Sequence, residues 1–319
     1  MSKILLTIQH NGRVFSPPIE EGVQIEWERT SSPGKLTFTT IKSKTEDMSF
    51  QEGDPVCFYY DGKPVFLGFV FTKKRDREHR IEVTCYDQIR YLKNKYTYVF
   101  EKKTATQIIK ALCADFNLST GKIENTAYVI PAIAEENTSA LDIAMSVLEE
   151  TLLNTGNMYV LYDNFGKLEV RNCTSMVSTT LIMEDTAENF DYSSSIDDET
   201  YNSVILYYKN EDNSISVYTA SNSAKIKQWG TLRYFEETKN PTVAQNKANA
   251  LLKLYCKKTR ELKVSGAFGD ITVRGGTLIP VKLNLGDIIT NNYMLVEKVV
   301  HKFDNDRHTM DLTLEGAWE

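Results

Sequence analysis

Five cysteines are scattered without a CxxC pair, no Gly-x-Ser-x-Gly elbow or Gly-Lys-Ser/Thr loop occurs, and no apolar run approaches bilayer length. Each absence removes a class of function. Cys57, Cys85, Cys113, Cys173 and Cys256 lack the spacing of a zinc or dithiol site, so reduced, partly buried thiols are expected. Without the serine elbow or a cysteine in a marked setting, nucleophilic catalysis has no sequence anchor. A span needs about 20 apolar residues, so no membrane helix is expected. Basic residues are also in deficit. A formal net charge of −6 opposes a phosphate-binding surface, because non-specific nucleic-acid affinity comes from clustered Lys and Arg. Met1 to Ile8 is a short alternating segment without the apolar stretch and cleavage site of a secretory leader, so cytoplasmic folding is expected.

What is present is ordinary globular composition, 41% hydrophobic and 25% charged, in a chain long enough for two or three domains. Residues 1–95 read as strands. Val23, Ile25 and Trp27 alternate with Gln24, Glu26 and Glu28, the period of a sheet with one dry face. Asp61-Gly62 between apolar runs predicts a hairpin, with Pro64 near a strand end or edge, and Ile81, Val83 and Cys85 alternate again. Residues 96–190 change character. Thr104-x-x-Gln107 and Ser139-x-x-Asp142 open two amphipathic helices, and the turn Asp163-Asn164-Phe165-Gly166 joins two strands, giving a small α+β insert. Across 191–319 strands return at 203–208, 214–219, 230–235, 261–266, 278–283, 287–290, 294–303 and 309–315. One helix interrupts them, with Asn240 as its cap and Pro241 at its first position.

The two β-rich ends share an order of features. Gly53-Asp54, Leu67–Phe71, Asp76-Arg77 and Ile81–Cys85 run parallel to Gly286-Asp287, Leu295–Val300, Asp306-Arg307 and Met310–Leu314. Duplication would give a mainly β fold with two β-barrels flanking the α+β insert. Three such chains would present six similar units in a closed ring able to join partners of different symmetry.

That order resembles the baseplate hub proteins of contractile phage tails of the XkdQ/YqbQ type, with the late control protein D family and the type VI secretion spike hub as distant relatives. The likeness is carried by Gly53-Asp54, Phe66–Val70, Tyr86-Asp87-Gln88 and Tyr91-Leu92, then by Ser139–Ile143 and Thr155–Tyr159. It continues through Asp197–Val204, Ala248–Leu252, Val300–Phe303 and His308–Met310, so it spans the chain. The resemblance implies two units with the tail-tube fold in a homotrimeric hub around a central channel, adapting the tail tube protein to the central spike. The tape-measure protein and other baseplate proteins become further partners, DNA only passing cargo. The expected location is the virion tail or baseplate, assembled in host cytoplasm, in an intact phage, a defective prophage or a tail-like bacteriocin. An acidic balance suits such a channel, since like charge on lining and cargo opposes adhesion.

The family's role is structural, so no catalytic, metal or cofactor residues are assigned and no enzyme is expected. His301 and His308, flanking Asp304-Asn305-Asp306, place two imidazoles near a carboxylate, but without a further ligand they read as strand and turn residues. Glu184-Asp185, Glu188 and Asp197-Asp198-Glu199 lack EF-hand spacing and read as solvated connections. Gly266, Gly269 and Gly275-Gly276 read as turn glycines. Seventeen tyrosines and a faint likeness of Thr104–Leu118 to half a LysM module make peptidoglycan binding the alternative function, although aromatic residues in strands usually pack.

Overall fold

The computed structural model describes residues 3–20, 22–41, 49–197, 199–286, 289–304 and 307–316. The fold is mainly β with few helices. The first block supplies β1 (Ile4–His10), β2 (Arg13–Phe15), β3 (Val23–Glu28), β4 (Lys35–Ile41), β5 (Pro55–Tyr60), β6 (Lys63–Arg75) and β7 (Arg80–Tyr86). Asp61 and Gly62 take φ of 50° and 73°, the mirror-image turn whose twist matches a β5–β6 hairpin.

The insert follows with β8 (Lys95–Thr104), α1 (Ala105–Asp115), β9 (Thr120–Ile123), β10 (Val129–Ser139), α2 (Ala140–Thr155), β11 (Tyr159–Asp163) and β12 (Leu168–Asn172). Both expected caps form: Thr104 and Gln107 satisfy each other's main chain, and Ser139 Oγ accepts from Asp142 N–H. Between β11 and β12, Asp163 Oδ1 accepts from Gly166 N–H at 2.6 Å. The buried faces of α1 and α2 share a core with Leu161, Leu168 and Val170.

The remainder contributes β13 (Asn189–Ser195), β14 (Ser203–Lys209), β15 (Ile215–Ser221), α3 (Ser223–Trp229), β16 (Arg233–Glu237), α4 (Ala244–Tyr255), β17 (Thr259–Phe268), β18 (Leu278–Asn284), β19 (Ile289–Asp304) and β20 (Arg307–Glu315). Here the structure departs from the sequence reading in several ways. Strands β14, β15 and β16 do not join the terminal strands; they form their own sheet, whose Val204 and Leu206 pack on Ala248 and Leu251 of α4. Helix α3 was not expected. Helix α4 begins at Ala244, because Asn240 spends its side chain on Thr242 in a preceding turn. The separate runs expected at 287–290 and 294–303 belong to one long β19, with residues 287 and 288 outside the described set.

Twelve strands make the large sheet, ordered β13-β17-β20-β19-β3-β4-β7-β6-β5-β1-β2 with β18 also on β19. Both chain ends therefore lie in one sheet, joined where β19 runs antiparallel to β3. Its path is open: among the described residues no pairing closes either terminal block on itself. A single apolar core runs beneath both blocks, from Leu6, Ile25 and Phe58 to Val264, Phe303 and Leu314.

The duplication is visible in the hydrogen bonding. In the first block the chain of neighbours is β3-β4-β7-β6-β5; in the second it is β13-β17-β20-β19-β18. Registers coincide. Phe69, Val70, Thr72 and Lys73 face Tyr86, Cys85, Thr84 and Val83, while Leu295, Val296, Lys298 and Val299 face Glu315, Leu314, Thr313 and Leu312. Each long strand skips one residue at the same place, Phe71 in β6 and Glu297 in β19. Such bulges are placed features of a strand pair rather than accidents.

One correspondence needs correcting. The counterpart of Gly53-Asp54 is Gly276-Thr277, not Gly286-Asp287. Gly53 N–H donates to Val70 O at 2.7 Å and Gly276 N–H to Val296 O at 2.8 Å. Val70 N–H and Val296 N–H then return bonds of 2.9 Å to Asp54 O and Thr277 O. Both glycines hold φ near +90°, where a side chain is strained, and that backbone demand preserves the glycine while its neighbour changes.

Candidate assembly surface: one filled seam and two open edges

The seam between the blocks is built from alternation. Val23, Ile25 and Trp27 of β3 turn inward beside Val299, His301 and Phe303 of β19, so Gln24, Glu26 and Glu28 share the polar face with Lys298, Val300 and Lys302. Lys298 reaches both Glu26 and Glu28, the latter at 2.9 Å. At the seam's end Arg29 N–H donates to Glu297 O at 2.8 Å, and Arg29 Nε forks onto the Glu297 carboxylate at 2.7 and 2.8 Å. Gly275 lies against this corner: a Cβ there would meet Arg29 N at 2.3 Å and Glu28 C at 2.5 Å, both backbone atoms.

The polar face is not the acidic surface that net charge alone suggests. Lys35 pairs with Glu26 at 2.5 Å, Lys302 with Asp311 at 2.5 Å, Lys263 with Glu261 at 2.9 Å and Lys74 with Glu82 at 3.8 Å. Carboxylates and ammonium groups alternate across it, so the long-range field of this face is small.

Two edges lack the partner that the seam supplies. Strand β13 occupies the position of β3, and the Phe71–Arg75 half of β6 that of β19 beyond its bulge. Among the described residues no strand pairs on the outer side of either. A cleft of about 680 Å³ adjoins β13, lined by Ser193, Ser195, Leu148, Leu152 and Tyr255.

A buried charge cluster ties the insert to both blocks. Arg274, from the second block, lies between the rings of Trp27 (4.9 Å) and Tyr162 (4.5 Å) and donates to Asp163 O at 2.9 Å. Asp163 also accepts from Gln88, and Asp87 accepts from Gly34 and Ile89 N–H groups. Burial, and for Asp87 the neighbouring Asp163, push these carboxyls above the ordinary carboxylate range; burial lowers the Arg274 guanidinium. Sequence reading missed this cluster, although Asp87 lies in a segment that carries the family likeness.

The residues weighed for chemistry fall elsewhere. His301 and His308 do meet, Nδ1 to Nε2 at 2.9 Å, while His301 Nε2 donates to Val273 O at 2.9 Å. That tautomer occupies both ring nitrogens of His301 in hydrogen bonds and leaves it no lone pair for a cation. Burial, aided by His308, lowers the His301 pKa to about 3, and burial lowers that of His308 to about 4. Residues 305 and 306 lie outside the described set, as does residue 198. Of the acidic group, Glu188 pairs with Arg307 at 2.5 Å and Glu199 borders the β13 cleft. Burial raises all five cysteine thiols, Cys113 and Cys173 to about 11, so none is poised as a thiolate nucleophile. Gly269 sits under the His308 ring. Thr104–Leu118 forms α1 and its end, with Ile108, Ile109 and Leu112 in the insert core.

The histidine pair predicts a pH dependence. Unfolded histidines titrate near about 6.5, so the unfolded chain binds more protons than the native one between that pH and the lowered native values. Stability from the neutral pair therefore falls as pH drops from about 6.5 towards 4. His308→Gln retains an N–H donor for His301 Nδ1 but removes one titration. Its urea midpoint is expected to fall less steeply than the wild type's between pH 7 and 4.5; the opposite contribution of Asp87 and Asp163 is common to both proteins. Parallel slopes would contradict the assignment.

The same fold, two registered copies of one strand pattern joined through an internal seam, is shared with a solved prophage tail protein. The 43 kDa tail protein of prophage MuSo2 from Shewanella oneidensis superposes with a TM-score of 0.73 over 97% of this chain and 98% of that one, at 12% identity. The chain belongs to the YQBQ-like family, whose model matches residues 23–315. It is 33% identical over 304 residues to "Uncharacterized protein YqbQ" and 33% identical over 305 residues to "Phage-like element PBSX protein XkdQ", both of Bacillus subtilis strain 168. Each alignment covers 92% of this chain and 91% of the relative. The chain is thus a member of a family that includes a protein of a phage-like element.

Proposed function

We propose that the chain is the structural hub of a contractile-type tail baseplate, acting as a homotrimer whose channel adapts the tail tube to the central spike. Residues 1–95 and the 191–319 segment without its separate β14–β16 sheet and α4 supply its two tube-like units, and 96–190 the insert. The observation that carries this reading is the duplicated strand pattern with one seam filled inside the chain and two edges unfilled. A heterologous contact that repeats the internal seam generates a ring when its rotation closes. Three chains, each giving β13, β17, β20, β19, β3, β4, β7 and β6, would then form one closed barrel; on this account the units close by assembly rather than each on itself.

The polar face would line the channel. Its paired charges offer neither DNA nor a tape-measure protein a net field to adhere to, so cargo passes by charge balance rather than by an acidic wall. The chain would supply mechanical continuity and no catalysis. Electron microscopy of the chain produced with its neighbouring tail proteins tests this: three-fold rings with six lobes and an open centre are expected. Particles of a single chain, or rings without alternating lobes, would overturn it.

A further inference from the structure

We infer that the outer edge of β13 binds the Phe71–Arg75 edge of β6 in a second copy of this chain, in the register of the internal seam but with different side-chain chemistry. This rests on the ring reading above and goes further by fixing which residues meet. The internal seam places Lys298 opposite Glu28, Val299 opposite Trp27 and Val300 opposite Glu26. Strand registers make Thr72, Lys73 and Lys74 the equivalents of those β19 residues. In the same way Ser195, Ser194 and Ser193 are the equivalents of Glu28, Trp27 and Glu26. Thr72 therefore faces Ser195, Lys73 faces Ser194 and Lys74 faces Ser193 of the next copy.

The chemistry differs where the internal seam is strongest. Arg29 and Glu297, the forked ion pair, correspond to Ile196 and Phe71. At that corner the contact between copies exchanges a salt bridge for an apolar pair. Phe71 is half-buried beside Tyr86 and Tyr91, an aromatic bed that Ile196 would complete. On the polar face the acidic ladder of β3 is replaced by serines, and Lys74 comes diagonal to Asp191.

This difference prevents wrong pairings. If β13 took the place of β3 on β19, Glu297 would lose Arg29 and face Ile196. If β3 paired with β6, Arg29 would face Phe71 and lose its carboxylate. Each error strands a charge, so the edges sort into one inside seam and one outside seam.

Cysteine pairing tests the register, because directly opposed residues of antiparallel strands bring Cα atoms to about 4.5–5.5 Å, within disulfide reach. Purified full-length Ser193→Cys and Lys74→Cys chains, mixed and oxidised, should give a dimer band that neither gives alone. The double variant should give a ladder ending at three chains. Ser193→Cys with Lys73→Cys, shifted by one residue and so on opposite faces, should cross-link at least tenfold less. As a second measurement, Ile196→Asp should weaken ring formation at least tenfold without changing the far-ultraviolet circular dichroism.

Rings that form without the Ser193–Lys74 cross-link, or with the shifted pair preferred, would overturn the register and leave the hub reading standing. Absence of both rings and cross-links would overturn the two together.

Discussion

Arg274→Ala should lower the unfolding free energy by about 3–5 kcal/mol, the range for breaking a buried ion cluster by removing one partner. The side chain is buried between Trp27 and Tyr162, and its charge acts on the buried carboxyls of both Asp87 and Asp163. Without it two carboxyl groups remain desolvated, and three parts of the chain lose their common contact. Arg274→Met restores volume but not charge and should recover little. Adding Asp163→Asn to it should recover more, since the amide oxygen still accepts the Gly166 N–H bond. Lysine is a poor substitute, because it lacks the planar surface that stacks between two rings. Chemical denaturation measures all four, and a loss under about 1 kcal/mol for Arg274→Ala would show that the cluster is not structural.

Phe303→Ala should cost a similar amount, about 3–5 kcal/mol for truncating a fully buried aromatic ring. Phe303 has no exposed surface and lies on β19 opposite Val23 of β3. Its ring centre is 4.8 Å from that of Phe58, 5.1 Å from Tyr60 and 4.3 Å from His308, so it fills the core where the two blocks meet. Phe268→Ala is the matched control. At 66% exposure on β17, its removal should change stability by no more than about 0.5 kcal/mol. Equal effects at the two positions would mean that the blocks do not share a core.

Much of this architecture was legible in the sequence because it is locally encoded. Asp61-Gly62 needs positive φ, and Thr104/Gln107 and Ser139/Asp142 satisfy orphan N–H groups within one turn. The alternation of 81–85 and 310–314 fixes which side chains face the core, and those segments proved structurally equivalent. What failed was non-local. The alternation of 203–208 marks a strand but not which sheet it joins, so β14 to β16 were read as part of the terminal block. Gly286-Asp287 matched Gly53-Asp54 as letters, whereas the shared backbone demand fell on Gly276. Arg274 and Asp163 lie 111 residues apart, and no spacing rule brings them together.

The open edges of β13 and β6 were equally invisible, since an edge is defined by the strand it lacks. Only the internal seam shows what chemistry the missing strand would bring.

The most direct measurement is a cryo-electron microscopy reconstruction of the assembled particle at a resolution that separates strands. The account predicts an unbroken circle of strands in which the contact between β19 and β3 within a chain alternates with one between β6 and β13 of successive chains. A particle in which chains touch only through the 96–190 insert or the β14–β16 sheet, leaving both edges in solvent, would contradict it.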